Sequence, residues 1–240
     1  MRASPDKISL PQPRLCKGKV AAVEEIVEDT RIFRIDTGGA LPHRAGQYAL
    51  LHAEGFDPRE FSIASAPDAP FLEFHIKTTG RGISQHIFDT WKEGVNVTLE
   101  APYGDHFWRP AARPLLALAG GVGIAPIKAI IEAHLGHDEA APAHLYWGVR
   151  DETHLYLDAL FNDLRKGRHG FHYVPLLGQG TAGPGHREGF IGPAIEQDFP
   201  TLAGFSIYIA GPRAMVEATL PVLTAKHADP DWLFSDAFGP

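Results

Sequence analysis

Leu115-Leu-Ala-Leu-Ala-Gly-Gly-Val-Gly-Ile-Ala-Pro126 is the stretch that decides how the chain folds. Leu115 to Ala119 is an apolar run of strand length, and Ile124, Ile127, Ile131 and Leu135 recur at helical spacing along one face. Between them, Gly120, Gly121 and Gly123 permit tight turns and let backbone N–H groups approach an anion, while the helix start adds its positive dipole end. Pro126 suits the first turn of a helix. It also stands where the standard dinucleotide fingerprint has its third glycine, and glycines after a strand are ordinary turn formers. The loop by itself therefore leaves nucleotide binding open.

Downstream, strand alternates with helix. His144 to Trp147, Phe171 to Leu176 and Phe205 to Ala210 read as strands, whereas Thr153 to Arg165 and Arg213 to about His227 read as helices. That succession predicts a parallel, doubly wound α/β sheet with helices on both faces. Ligands of such sheets lie outside the carboxyl ends of the strands, which here points to Gly148-Val-Arg-Asp151. Arg150 suits a 2′-phosphate and hence NADPH; Asp151 suits a 2′-hydroxyl and hence NADH. A solvated pair opening the next helix is the competing reading.

Upstream the grammar is that of antiparallel strands. Leu72, Phe74 and Ile76 alternate with polar residues, as do Val95, Val97 and Leu99, and Ala45 to Leu51 is a third candidate. Ile83, Ile87, Phe88 and Trp91 mark one helix, so this part reads as a small antiparallel β-barrel. Residues 1–16, with Pro5, Pro11 and Pro13, read as an N-terminal arm. The expected division is the arm, a barrel over 17–110 and an α/β domain over 111–240, with the junction at Arg109 to Arg113.

Composition narrows the classes. The chain has 240 residues, is 44% hydrophobic and carries a formal charge of -7 with no run of Lys or Arg, which argues against a nucleic-acid binder. Cys16 is the only cysteine, so this chain alone builds neither a disulfide nor a four-thiolate iron-sulfur cluster. The histidines are scattered without metal-ligand spacing, so no metal is expected. No secretory or membrane-spanning segment is evident, and a cytoplasmic location is the expectation.

Two segments of the barrel carry candidate chemistry. Arg59 can fork two donors onto a phosphate, Phe61 can cover a flat ring, and Ser62 can bond a ring nitrogen, although each also has an ordinary structural use. Gly80-Arg-Gly-Ile-Ser84 opens the single helix and offers a second anion site.

Six motifs in order now make a specific resemblance: Arg59-Glu-Phe-Ser62, Gly80-Arg-Gly-Ile-Ser84, Pro102-Tyr-Gly104, Gly120-Gly-Val-Gly-Ile-Ala-Pro126, Tyr208-Ile-Ala-Gly-Pro-Arg-Ala-Met215 and Ser235-Asp-Ala-Phe238. From about Lys17 to Phe238 the chain resembles the ferredoxin:NADP reductase superfamily, in its bacterial oxygenase-reductase and NAD(P)H:flavin reductase branch. The resemblance implies an FAD-binding barrel followed by a pyridine-nucleotide domain, and a flavoprotein oxidoreductase passing hydride from NADH or NADPH to bound FAD. Electrons would then go to a separate ferredoxin or oxygenase component. The alternatives are an NAD(P)H:flavin reductase using free flavin as substrate, or a non-catalytic nucleotide-binding electron-transfer subunit. A hydrolase is disfavoured because no Gly-x-Ser-x-Gly elbow occurs.

Carried over residue by residue, Arg59, Glu60, Phe61 and Ser62 would hold the flavin, with Ser62 beside its reactive nitrogen. His75, Ile76 and Lys77 would lie along the same cofactor, and Gly82, Ile83 and Ser84 at its pyrophosphate. Gly120, Gly121, Val122, Gly123, Pro126, Gly148, Ala210, Gly211, Pro212 and Met215 would shape the nicotinamide nucleotide site. Phe238 would cover the flavin ring until nicotinamide displaces it. Ala210 stands where plant-type members have a cysteine and Val122 where threonine is frequent, so neither position offers a thiol or hydroxyl to the chemistry.

Overall fold

Residues 10–137, 141–179 and 183–236 are described by a computed structural model, so Phe238 lies outside the described residues. A long strand, β1 (Arg14–Val27), turns back into β2 (Thr30–Asp36), and these pair as an antiparallel hairpin. There follow β3 (Tyr48–His52), β4 (Arg59–Ser62), β5 (Leu72–Lys77), a helix α1 (Gly82–Thr90) and β6 (Asn96–Tyr103). The sheet order is β4-β3-β6-β1-β2-β5, antiparallel throughout. Just beyond β4, the N–H of Ala64 donates to the carbonyl of Glu73 in β5 at 2.8 Å, joining the two edges and closing the barrel. Phe33, Phe74, Leu99 and Ile63 fill its interior.

The second domain runs β7 (Leu115–Gly120), α2 (Ile124–Leu135), β8 (Ala143–Val149), α3 (Asp158–Gly167), β9 (Phe171–Leu177), β10 (Arg187–Glu188), α4 (Ile191–Asp198), β11 (Ser206–Ala210), α5 (Arg213–Ala225) and β12 (Leu233–Ser235). Its strands are all parallel, in the order β10-β9-β8-β7-β11-β12. Ile124, Ile127 and Phe161 cover one face of this sheet; Ile191, Ile195, Val216 and Leu223 cover the other. This is the doubly wound arrangement expected from the alternation. No helix among the described residues is long and apolar enough to cross a membrane.

Four local expectations differ from the structure. Strand β1 starts at Arg14, paired with Ala101, inside the stretch read as an arm. Strand β3 starts at Tyr48, because Gly46 turns the chain at φ +102, where a Cβ would strike the carbonyl oxygen of His106 at 2.4 Å. Thr153 to Arg165 is not one helix: Asp151 accepts from the N–H of Thr153 at 3.1 Å, closing a 3₁₀ turn over Glu152–His154, and α3 begins only at Asp158. Finally, β5 is not half-buried. Glu73 and His75, the polar half of its alternation, are buried as well, because the second domain packs against that face.

Candidate functional site

The pairing of β3 with β4 fixes which side chains face outward. Tyr48 lies opposite Ser62, and Ala49 opposite Phe61. Ala49 belongs to the barrel core, so Phe61 turns toward that core and packs partly buried against it. Ser62 and Tyr48 turn the other way, into a cleft of about 600 Å³ whose walls include Glu60, Tyr103, Gly104 and Asp236. Tyr48 and Tyr103 stack with centroids 5.8 Å apart and planes within 19°. Burial, with Glu60 beside it, pushes the Tyr48 hydroxyl up to about 12, so it remains protonated and able to donate. Leu10 to Pro13 line this cleft as well, together with Ser235 at the end of β12 and Asp236 just after it. Arg59 is exposed, and its side chain makes no hydrogen bond or ion pair among the described residues.

The start of α1 fits an anion. Its N-cap, Arg81, makes no side-chain capping bond, and no acidic residue occupies the first turn. Gly82 holds φ +70 with nothing within 4 Å of where a Cβ would project, while Ile83 and Ser84 are buried beneath. The first-turn N–H groups are therefore left to water or a ligand.

In the glycine loop, Gly121 to Gly123 form a 3₁₀ turn leading into α2, again without a side-chain cap. Gly121 has φ +53 and open space at its Cβ position, a cradle that any side chain would fill. The other two glycines serve close packing instead. A Cβ on Gly120 would lie 2.4 Å from the Met215 sulfur, and one on Gly123 2.4 Å from the Ala210 carbonyl oxygen. Gly211, at φ +146, leaves 2.9 Å between its own Cβ position and the Gly120 backbone. The loops before α2 and α5 are thus pressed together, Met215 and Ala210 act as packing partners, and Pro212 caps α5. Val122 is half-buried and Pro126 buried. Gly148, the penultimate residue of β8, lies beside Ile191, 3.4 Å from its Cβ position.

Arg150 and Asp151 are already occupied with each other. Arg150 Nε lies 3.0 Å from Asp151 Oδ2, and Oδ1 of the same carboxylate accepts from Thr153 and meets His154 Nδ1 at 2.8 Å. Hydrogen bonds from Thr153 foremost, then His154 and Arg150, hold the Asp151 carboxyl well below its ordinary range. Asp151 is spent as a turn cap, and the exposed Arg150 also places Nη2 3.2 Å from His154 Nε2, so Nη1 is the part of its guanidinium not engaged in this cluster.

The side chains of the His75 to Lys77 segment face elsewhere than the cleft. Ile76 is in the barrel core and Lys77 pairs with Asp29 at 3.0 Å. His75 is wholly buried where the domains meet: Nε2 lies 3.1 Å from Glu73 Oε1, and Nδ1 lies 3.0 Å from the Tyr156 hydroxyl. Burial holds His75 neutral. A carboxylate only accepts, so Nε2 carries the proton and Nδ1 accepts from Tyr156. Only the backbone of this segment is left to meet a cofactor.

Around Glu73 a buried network joins the domains. Arg34 Nε donates to Glu73 Oε2 at 2.9 Å, and Lys128 on α2 lies 3.5 Å from Oε1. Burial alone would raise the Glu73 carboxyl, but the His75 hydrogen bond and the charges of Lys128 and Arg34 overcome it and hold it at about 2. Lys128 also donates to the backbone carbonyl of Ala64 at 3.1 Å and pairs with Glu132 at 3.1 Å. Sequence reasoning assigned no role to Glu73, Lys128, Tyr156 or Tyr48. The one available signal was an acid and a histidine two residues apart on the polar side of β5.

The residues present fit the two nucleotides that the motif order implies: two uncapped helix starts, each behind an open positive-φ glycine, lie in adjoining domains. The family model described as "Oxidoreductase FAD-binding domain" matches residues 17–108, and that described as "Oxidoreductase NAD-binding domain" matches residues 117–220. The chain is 32% identical over 237 residues to the ferredoxin–NAD(P)(+) reductase component of the naphthalene 1,2-dioxygenase system of Pseudomonas putida, covering 98% of this chain and 72% of the relative. It is 28% identical to the NAD(P)H-flavin reductase of Vibrio harveyi, covering 92% of this chain and 97% of the relative. Among solved structures, a cytochrome P450 reductase of Amycolatopsis superposes with a TM-score of 0.89 at 29% identity, over 100% of this chain and 74% of that one. The ferredoxin reductase of carbazole 1,9a-dioxygenase gives 0.83 at 28% identity, over 95% of this chain and 70% of that one.

Proposed function

The chain belongs to the ferredoxin reductase family of FAD- and NAD-binding oxidoreductases, and from that premise we infer an NAD(P)H-dependent reductase that passes hydride to bound FAD and electrons to a separate ferredoxin or oxygenase component. One observation carries the reading furthest. The helix that follows the Gly121 cradle is bonded, through Lys128, to the Ala64 carbonyl two residues beyond Ser62, so the two halves of the site are held together. The working division is a barrel that begins with Arg14 of β1 and runs to 110, followed by an α/β domain over 111–240, and we place the protein in the cytoplasm.

When bound, FAD supplies a ring nitrogen that accepts hydride and releases electrons singly. The residues supply placement. Arg59 clamps the flavin phosphates, aided by the first-turn N–H groups of Gly82, Ile83 and Ser84. Ser62 orients the reactive edge of the ring, and Glu60 and Tyr48 line its cleft. Gly121, Gly123, Pro126, Gly211 and Pro212 shape the bed of the nicotinamide nucleotide. Ala210 and Val122 bring no proton donor into it. Phe238 keeps its covering role only through the resemblance. Arg150, the less committed of its pair, favours NADPH through the 2′-phosphate.

Loss of the Arg59 fork removes charge-assisted hydrogen bonds of about 1.5–3 kcal/mol each, so Arg59→Ala should weaken FAD binding at least about tenfold. Flavin fluorescence on titrating the apoprotein measures this. Ser62→Ala should slow flavin reduction by NAD(P)H about tenfold under anaerobic rapid mixing, within the range of one hydrogen bond. A wild-type rate in that variant would remove Ser62 from the chemistry. Anaerobic titration of the wild type with NADH and then NADPH tests the whole reading: the visible flavin absorbance should bleach stoichiometrically. The Vibrio harveyi relative is matched over nearly its full length, which favours a second reading, turnover of free flavin. Gel filtration decides between them, because a resident FAD co-elutes with protein and a substrate flavin does not.

A further inference from the structure

We propose that Lys128, Glu73, His75 and Tyr156 form a positioning cluster that sets the register between the glycine loop and the Ser62 strand end, and so tunes the hydride-transfer step without touching either nucleotide. The proposal rests on the function inferred above; of its residues only His75 was placed at the cofactor by the resemblance, and its side chain faces the domain junction instead.

Two routes lead from the glycine loop to the same few residues of the barrel. The first runs along α2 from Gly123 to Lys128, whose ammonium donates to the Ala64 carbonyl at 3.1 Å. The second starts at the Gly121 carbonyl, which accepts from Trp147 Nε1 at 2.9 Å. The Trp147 ring meets the Tyr156 ring edge-on at 5.3 Å, and the Tyr156 hydroxyl bonds His75 at 3.0 Å. His75 in turn holds Glu73, whose backbone carbonyl accepts from Ala64 N–H at 2.8 Å and whose N–H donates to Ser65 Oγ at 3.2 Å. Both routes end at Ala64, two residues from Ser62.

Interfaces between domains of one chain ordinarily permit relative motion. Hydride transfer, by contrast, depends on near-contact geometry, and a displacement of about 1 Å can cost about a hundredfold. The links that cross between the domains, Tyr156 to His75 and Lys128 to Ala64, are directional hydrogen bonds, and they resist that displacement better than apolar packing, because each is lost when its partners slide. His75 is buried and Tyr156 partly so, which makes an unmade bond at the imidazole costly. Arg34 and Glu132 complete the charge balance of the cluster without lying on either route.

The test compares Tyr156→Phe, which removes one hydroxyl and keeps the ring, with Lys128→Met. Under anaerobic rapid mixing at saturating NAD(P)H, the rate constant for flavin reduction should fall about tenfold for Tyr156→Phe and more for Lys128→Met. The dissociation constants for NAD(P)H and FAD should stay within about twofold, since no cluster side chain lines either cradle. In the apoprotein, hydrogen–deuterium exchange should accelerate together in segments 119–124 and 62–65. A merely stabilising role would lower the melting temperature without moving the rate constant well below it. Should Lys128→Met fail to fold, Tyr156→Phe carries the comparison. Wild-type reduction rates and unchanged exchange in the folded variants overturn the proposal. A wild-type protein that NAD(P)H does not bleach instead overturns the functional reading on which it stands.

Discussion

Gly123→Ala is expected to cut kcat/KM for NAD(P)H by about a hundredfold or more. Its Cβ would fall 2.4 Å from the Ala210 carbonyl oxygen, 2.6 Å from that carbonyl carbon and 2.7 Å from Gly211 Cα. All three are backbone atoms, so relief requires one loop to move away from the other by about an ångström, and a shift of that size at a reacting centre costs about a hundredfold. Overpacking costs about 1–3 kcal/mol of stability, which leaves the protein folded at 25 °C and the kinetic effect measurable. Gly167→Ala, at a position with nothing within 4 Å, is the control and should change turnover by less than about twofold. If Gly123→Ala turns over as fast as the control, the two loops are not the nicotinamide bed.

The second large effect concerns stability. Glu73→Ala leaves buried His75 without its acceptor and removes the more buried of the two carboxylates that face each of Arg34 and Lys128, which keep Glu24 and Glu132. Breaking a buried pair on one side costs about 3–5 kcal/mol, which for a chain of this size lowers Tm by about 10 °C. The pH dependence has a definite sign. The Glu73 carboxyl sits at about 2 in the folded protein against 4.5 ordinarily. Its contribution is therefore complete above about pH 4.5 and is lost as pH falls toward 2, amounting to about 3 kcal/mol by linkage. Thermal melting of wild type and variant from pH 7 to pH 3 should show the gap narrowing on acidification. A gap independent of pH would mean that the cost lies in packing and not in the charge.

Much of the architecture was written locally. The run Leu115 to Ala119, its glycines and the period of Ile124, Ile127 and Ile131 gave strand, loop and helix because each depends on near neighbours. The resemblance placed Ser62 and Gly121 in the regions where the structure forms a cleft and an open cradle. What the sequence hid was non-local. His75 looked like the solvent-facing half of an alternating strand, yet its partner Tyr156 lies 81 residues away and comes from a segment read as continuous helix. Phe61 was read as a cover for a flat ring, and only its pairing with Ala49 shows that it leans on the barrel core. Asp151 carried two readings, and a local turn that it caps itself favours the structural one. The helix α4 left no clear signal because it is eight residues long and carries Gly192 and Pro193 in its first turn, a pair that reads locally as a turn.

Leu10 to Pro13 and Ser235 to Asp236 come from opposite extremes of the described chain and flank the same cleft. A partner fused next to either segment would therefore start beside the cleft proposed for the flavin. A ferredoxin joined through a short flexible tether would experience an effective concentration in the millimolar range there, turning a diffusive encounter into an intramolecular one.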